Sequence, residues 1–364
     1  MGMSRGAEGG FRVAAVVLWG LLAALALMVT VWVRLVLFGI TPGGGLRPPA
    51  AVVLSTGMSA QAVASVLEKE GVVSDGRLFY WYARIHGLAD KMKAGEYRFP
   101  PAAPPRLVLD TLVQGKVVVH KVTIPEGATV KDVARLVAKT GLVEPDRLVD
   151  LAQDRHLMVS LGVRDAATLE GYLFPETYLF RRTDRPQDMV RRMVLEFWRR
   201  FSPERQAQAR QMGFTVHQAV TLASLVEKEA VVDAERPVIA GVFLNRLQRN
   251  MPLQSDPTAV YDLEDFAGPI RRRHLDRESP YNTYLHKGLP PGPICNPGEK
   301  SLRAVLDPKK NGYLYFVSNN DGTHTFSATY DEHLQAVARF RGLKEESRSG
   351  AATPLDDTEA SIVP

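Results

Sequence analysis

The sequence predicts an α+β protein led by one N-terminal transmembrane helix. Three observations predict it. An apolar, charge-free run fills residues 13–33. Twice between residues 51 and 164 a β-like run leads into a helix-patterned stretch. From about residue 165 helical periodicity dominates, broken by one long loop-rich segment and a late hairpin. The chain has 364 residues, enough for two domains with appendages. Its 45% apolar and 23% charged content is that of a globular chain, not a disordered one. A net charge of +5 suits an anionic partner such as a membrane surface or an acidic polymer. No dense Lys/Arg tract interleaved with aromatics is present, so no nucleic acid is expected as partner.

The first element is VAAVVLWGLLAALALMVTVWV, Val13 to Val33. About 20 helical residues cross a hydrocarbon core of roughly 30 Å. Arg5 and Arg12 precede the run, and Trp32 lies at its far end, where indoles favour the interface. Trp19 sits deeper. A cleaved signal peptide has a shorter apolar core and a small-x-small cleavage site. Here Arg34 and LVLFGI follow, so residues 13–38 are read as a retained anchor. The preceding arginines place residues 1–12 in the cytoplasm. The rest then lies outside a single-pass inner (cytoplasmic) membrane protein, in the periplasm. TPGGGLRPPA closes a Gly/Pro linker, residues 39–50. Cys295 has no partner for an internal disulfide, and PPGPICNPG shows no base beside it, so it reads as a small buried side chain in a loop.

Next comes an internal echo. GMSAQAVASVLEKEGVVSDGRLF begins at Gly57 and GATVKDVARLVAKTGLVEPDRLV at Gly127. AVVL precedes the first and VVVHKVTIP the second. Ser59 or Thr129 can cap a helix, Val63, Val66 and Leu67 or Val133, Leu136 and Val137 form its apolar stripe, and Gly71 or Gly141 stops it. Such a β-α module on an exported chain is similar to a LysM-type carbohydrate-binding module, and equally to a generic packing unit used twice. We assign residues 51–120 to the LysM-like module and 121–164 to the second β-α unit, which opens a domain running to 342. AGEYRF, Ala94 to Phe99, reads as a strand between the copies.

Helices are expected over Pro186–Arg200, Thr215–Ala230 and Pro237–Gln248. Asn250 to Gly298 is rich in Pro, Asn and Asp, and a loop this long inside a domain is usually functional. YLYFV, Tyr313 to Val317, followed by Asn-Asp-Gly and THTF, predicts a hairpin. A final helix over Tyr330–Phe340 precedes a polar tail, 343–364, read as disordered.

One stretch carries the chemistry. LASLVEKEA, residues 222–230, is apolar yet holds Glu227 and Glu229 within one turn. At about 100° per residue the two carboxylates lie about 200° apart, so one cleft cannot easily use both. Glu227 points with Val216, Val220 and Ala223, the direction of a buried partner for Arg236 or Arg246. Glu229 sits at the rim. A catalytic acid needs partial desolvation and contact with substrate, which a rim position allows; an exposed helix-end charge is the plainer reading.

The surroundings add polar and aromatic groups on stiff loops: Gln254, Ser255 and Asp256 in LQSDPT, then Tyr281, Asn282, Thr283 and Tyr284 in SPYNTYLHKGLPPGPICNPG. LEGYLFPETYLF adds Glu170, Tyr172, Glu176 and Tyr178. Rings cover apolar sugar faces and amides reach hydroxyls and N-acetyl groups. ASLVEKE, LQSDPT, YNTY, GLPPGPI and NPG, in this order, resemble the endolytic murein transglycosylase family (MltG, YceG-like), and EGYLFPETY and AGEYRF resemble its upstream signatures.

The resemblance spans residues 55–340. It implies a LysM-like module followed by a catalytic domain, peptidoglycan glycan strands as substrate, and cleavage of the β-1,4 MurNAc–GlcNAc bond in cell wall assembly. It implies Glu229, the second glutamate of EKE, as the catalytic residue. The loop residues themselves offer Gln254, Asp256, Tyr281 and Asn282 as candidates to hold the sugar or its N-acetyl carbonyl, or Asp256 to stabilise charge at the anomeric carbon, and equally as loop packing. Related transglycosylases place Ser or Thr after the acid; Ala230 stands here, so a supporting hydroxyl is missing at that position. No lysine setting suits a pyridoxal cofactor, and no cofactor is expected. His324 and His333 lack clustered partners, so no metal is expected. Cell wall synthesis or division proteins are expected partners. The competing readings are an anchored, non-enzymatic peptidoglycan-binding scaffold and a hydrolase that uses water.

Overall fold

A computed structural model of the chain describes residues 5–43, 51–264 and 266–349. Residues 1–4, most of the expected linker (44–50) and the end of the expected tail (350–364) lie outside them. The fold is mixed α+β with an apolar N-terminal helix. It divides into two compact units, one running to His120 and including Arg181–Thr183, the other holding Lys121–Phe180 and the chain from Asp184.

In the first unit, α1 (Arg5–Ile40) contains a stretch, Ala15–Ile40, long and apolar enough to cross a membrane. Its large side chains from Val16 to Val33 are exposed all round. From Leu35 onward the helix joins a protein core: Leu35 and Phe38 pack with β1 (Val52–Leu54), α2 (Ala60–Lys69), α3 (Gly76–Ile85), β2 (Gly95–Tyr97) and α4 (Pro105–Gln114). β1 and β2 pair antiparallel, with Val52 opposite Tyr97 and Leu54 opposite Gly95. Local chemistry sets the helix ends. Ser59 accepts a hydrogen bond from the Ala62 amide at 3.2 Å, and Asp75 accepts one from Leu78 at 2.9 Å. Gly71 turns the chain after α2 at φ +70°, a left-handed value that costs other residues strain.

The second unit opens with the same order. β3 (His120–Thr123), α5 (Val130–Ala138), α6 (Pro145–Gln153) and the short α7 (Arg155–Ser160) lead to β4 (Thr177–Phe180), which pairs with β3. Thr129 and Asp132 form a reciprocal capping box on α5. The echo therefore reaches further than one helix. Each copy has a second helix, and each closes with a strand that returns to the first.

Then follow α8 (Pro186–Arg200), α9 (Pro203–Gln211), α10 (Val216–Glu229), α11 (Arg236–Gln248), α12 (Arg272–Leu275), α13 (Glu299–Leu306), β5 (Tyr315–Ser318), β6 (His324–Ser327) and α14 (Tyr330–Ser349). The β5–β6 hairpin pairs Tyr315 with Ser327 and Ser318 with His324. The last helix runs on past Phe340, where the sequence reading ended it, and takes in residues 343–349 of the tail expected to be disordered. LKEE supplies good helix formers that offset one internal glycine, worth about 1 kcal/mol. At the centre lies α10, whose residues Ala219 to Val226 are all buried. It packs against α9, α11 and α13.

Candidate active site

The capping box of Thr215 and Gln218 starts α10, and its last turn delivers the two glutamates. Glu227 is a structural residue. Its side chain is 5% exposed, pairs with Arg236 Nη1 at 3.0 Å, and accepts the Gly298 amide at 2.9 Å. Of the two arginines considered from sequence, Arg236 is the partner.

Glu229 turns the other way and is half-buried. Ser255 Oγ donates to its Oε1 at 2.5 Å. Burial pushes the carboxyl up to about 7; the Ser255 bond and the Arg246 cation oppose the rise, and the charge of Asp256 adds to it. The hydroxyl missing at residue 230 thus comes from the 254–258 segment instead.

That segment is held by hydroxyls. Ser255 N donates to Thr283 Oγ1 at 3.0 Å, Thr283 N to Thr258 Oγ1 at 3.2 Å, and Thr258 Oγ1 to the Ser255 carbonyl at 2.6 Å. The Gln254 amide donates to the Thr283 carbonyl at 3.1 Å. Gln254 itself has φ +49°, an uncommon left-handed value for a residue other than glycine. The LQSDPT and YNTY stretches are therefore one rigid layer, with Ser255 delivered to Glu229.

Two further groups complete the site. Asp256, half-buried, accepts a hydrogen bond from the Tyr284 hydroxyl, and burial raises its carboxyl above the usual range. Arg246 on α11 is buried. Its Nε donates to the Leu314 carbonyl at 2.6 Å, and its Nη1 to the Leu253 carbonyl and Gln254 Oε1, both at 3.0 Å. Its guanidinium lies 5.2 Å from the centre of the Tyr315 ring. From sequence, Ser255 and Tyr284 stood only among the loop groups that suit sugar, and Arg246 only as a possible partner of Glu227, not beside Glu229 and Asp256. Their signal was position alone: two lie in the quoted loop stretches, and the third lies on the neighbouring helix.

The structure places the other expected sugar contacts differently. Asn282 is fully enclosed. Its amide nitrogen donates to the Leu275 and Arg277 carbonyls, and its oxygen accepts from the Tyr284 amide, so it braces the loop and cannot reach a ligand. Tyr281 is half-buried, its ring 4.7 Å from that of Tyr261. Tyr172 and Tyr178 are core residues, bonded to His217 Nδ1 and the Phe174 carbonyl. Glu170 is buried, and burial raises it to about 7. It accepts from the Val130 amide, the Tyr261 hydroxyl and Asn296 Nδ2, which closes it off from solvent. Cys295 is fully buried. His324 bonds Glu235 at 2.7 Å. Among the described residues no group of three or more His, Cys, Asp or Glu side chains could hold a metal ion.

A half-buried carboxyl poised near neutrality, bonded to one hydroxyl and lying near one buried cation, is the kind of group that serves acid–base chemistry. The chain belongs to the YceG-like family, whose model matches residues 52–339. It is 31% identical over 307 residues to an endolytic murein transglycosylase of Bacillus subtilis (strain 168), covering 80% of this chain and 85% of that one. It is 30% identical over 319 residues to one of Streptococcus pneumoniae (serotype 2, strain D39), covering 79% of this chain and 58% of the pneumococcal protein. The crystal structure of a yceG-like protein from Listeria monocytogenes matches with a TM-score of 0.56 at 32% identity, covering 79% of this chain and 98% of that one.

Proposed function

We propose that this chain is an endolytic peptidoglycan lytic transglycosylase and that Glu229 is its catalytic acid and base. The observation that carries the reading is the half-buried Glu229 carboxyl, near 7 and bonded to Ser255. Both protonation states of such a group are populated at neutral pH. In the first step Glu229 gives its proton to the oxygen of the β-1,4 MurNAc–GlcNAc bond, and the bond from that oxygen to the anomeric carbon breaks. In the second step the carboxylate takes the proton of the muramic C6 hydroxyl, whose oxygen closes on the anomeric carbon as a 1,6-anhydro ring. No water is activated, so the pair of carboxylates used by ordinary glycosidases is not required. Asp256 offsets positive charge at the anomeric carbon, and Gln254 and Tyr281 hold sugar.

The relatives' printed name, endolytic murein transglycosylase, supports the substrate class. The β1–α2–α3–β2 order with its antiparallel pair supports a LysM-like, glycan-binding reading of the first unit. The apolar α1 supports a single-pass inner-membrane anchor with the catalytic unit in the periplasm, acting in cell wall assembly beside synthesis or division proteins.

Purified sacculi test the proposal. Glu229→Gln keeps the shape and removes the proton; it should fold normally and release no anhydro-ended fragments by mass spectrometry. Unchanged products from this variant end the assignment. Products with reducing muramic ends from the native chain indicate a hydrolase, and bound but uncut murein indicates a scaffold.

A further inference from the structure

We infer that the α3–α4 face of the first unit is a bilayer-docking surface, its Trp81 and Ile85 lying among lipid headgroups and upper acyl chains and its arginines on lipid phosphates. The inference rests on the reading of α1 as a membrane span.

The position of the face follows from length. Counted from Val13, about 20 residues cross the hydrocarbon and end near Trp32, with Arg34 just beyond. Leu35 to Ile40 carry the helix on by about 9 Å, the depth of a headgroup layer. In that stretch protein replaces lipid. Phe38 meets Tyr82 of α3 edge-on, with ring centres 6.4 Å apart. Gly39 lets the same ring approach so closely that a Cβ there would lie 2.6 Å from it. The Gly43 amide donates to the Ala103 carbonyl at 3.3 Å, just before α4. The unit therefore begins at the lipid surface and is not hung from a free tether.

The outer side of α3 is built for that depth. Arg77, Trp81, Arg84 and Ile85 stand at i, i+4, i+7 and i+8, one stripe of the helix, and all four are exposed. Trp81 is 54% and Ile85 62% exposed, the two most exposed large apolar side chains among residues 51–120. On α4, Arg106 and Leu107, with Asp110 one turn further on, join Ile40 of α1 in walling a cleft of about 320 Å³. Indole and aliphatic groups flanked by guanidinium groups, continuous with an apolar helix, match the chemistry of an anionic bilayer interface.

The test uses the full chain in vesicles of phosphatidylcholine and phosphatidylglycerol, some with brominated acyl chains. Cys295 is replaced by Ser, and a fluorophore is attached in turn through Trp81→Cys, Trp32→Cys and Val53→Cys, the last an exposed site on β1 of the same unit. Bromolipid quenching at position 81 is expected to exceed that at 53 by at least about three-fold and to approach that at 32. Equal quenching at 81 and 53, with 32 strongly quenched, overturns the docking surface and leaves the anchor standing. Absence of quenching at 32 overturns the anchor, and the docking surface with it.

Discussion

Ser255 gives Glu229 a hydroxyl that Ala230 cannot, and it arrives from a loop 26 residues later in the chain. A serine bond favours the ionised carboxylate, so its loss should raise the pKa of Glu229 further. For Ser255→Ala we expect the alkaline limb of the pH–rate profile to move up by roughly one unit and kcat to fall roughly ten-fold. A pH profile of sacculus digestion checks both. The native enzyme should lose activity as pH rises through about 7, where the acid gives up its proton. Glu227→Ala should behave differently. It strips Arg236 of its buried partner and should cost about 3 kcal/mol in urea denaturation, with the shape of the pH profile unchanged. The opposite directions of the two glutamates were legible from helical geometry, and so was a buried arginine partner for Glu227. The burial of Asn282 and Tyr172 was not, because a polar or aromatic residue in a motif looks the same whether it faces a ligand or ties a loop.

Among elements, α10 and the 250–298 loop make the site together. One buried tie between that loop and the rest of its unit is Asn296, which accepts from the Leu173 amide and donates to the Ala128 carbonyl and Glu170. Asn296→Ala leaves these buried groups without their partner and should cost about 3 kcal/mol, read as a lower melting temperature and as faster proteolysis within residues 250–298. Individual helices were well marked in the sequence: α8 has the expected bounds, and caps at Ser59, Thr129 and Thr215 stand where hydroxyls precede apolar stripes. What could not be read was long-range pairing. The return of β2 to β1 and of β4 to β3 spans about 40 and 54 residues and leaves no local trace beyond a short alternating run.

At the scale of the molecule, two raised carboxyls shape stability. Glu170 and Glu229 both titrate near 7 when folded, against an ordinary 4.5. Between those values the folded chain holds protons that the unfolded chain has released, so stability falls as pH rises through this window. Each group carries about 3 kcal/mol of that loss, complete above pH 7. Below the window, carboxylates held low by arginines, such as Glu299 with Arg205 and Arg200, reverse the trend. Thermal unfolding should therefore peak near pH 5 and decline toward pH 8, and Glu170→Gln should flatten the decline. The apolar N-terminal helix, the β-α echo and the loop-rich late region were legible from hydropathy and periodicity, since those signals are local. The cation beside the acid was not, because its support comes from Leu314 and Tyr315 at the start of the closing hairpin. Synthesis reaches those residues nearly ninety positions after Glu229. Arg246 itself is made early, yet its guanidinium gains the Leu314 carbonyl and the Tyr315 ring only once the hairpin has folded, so the acid's surroundings are completed by a part of the unit made long after the acid.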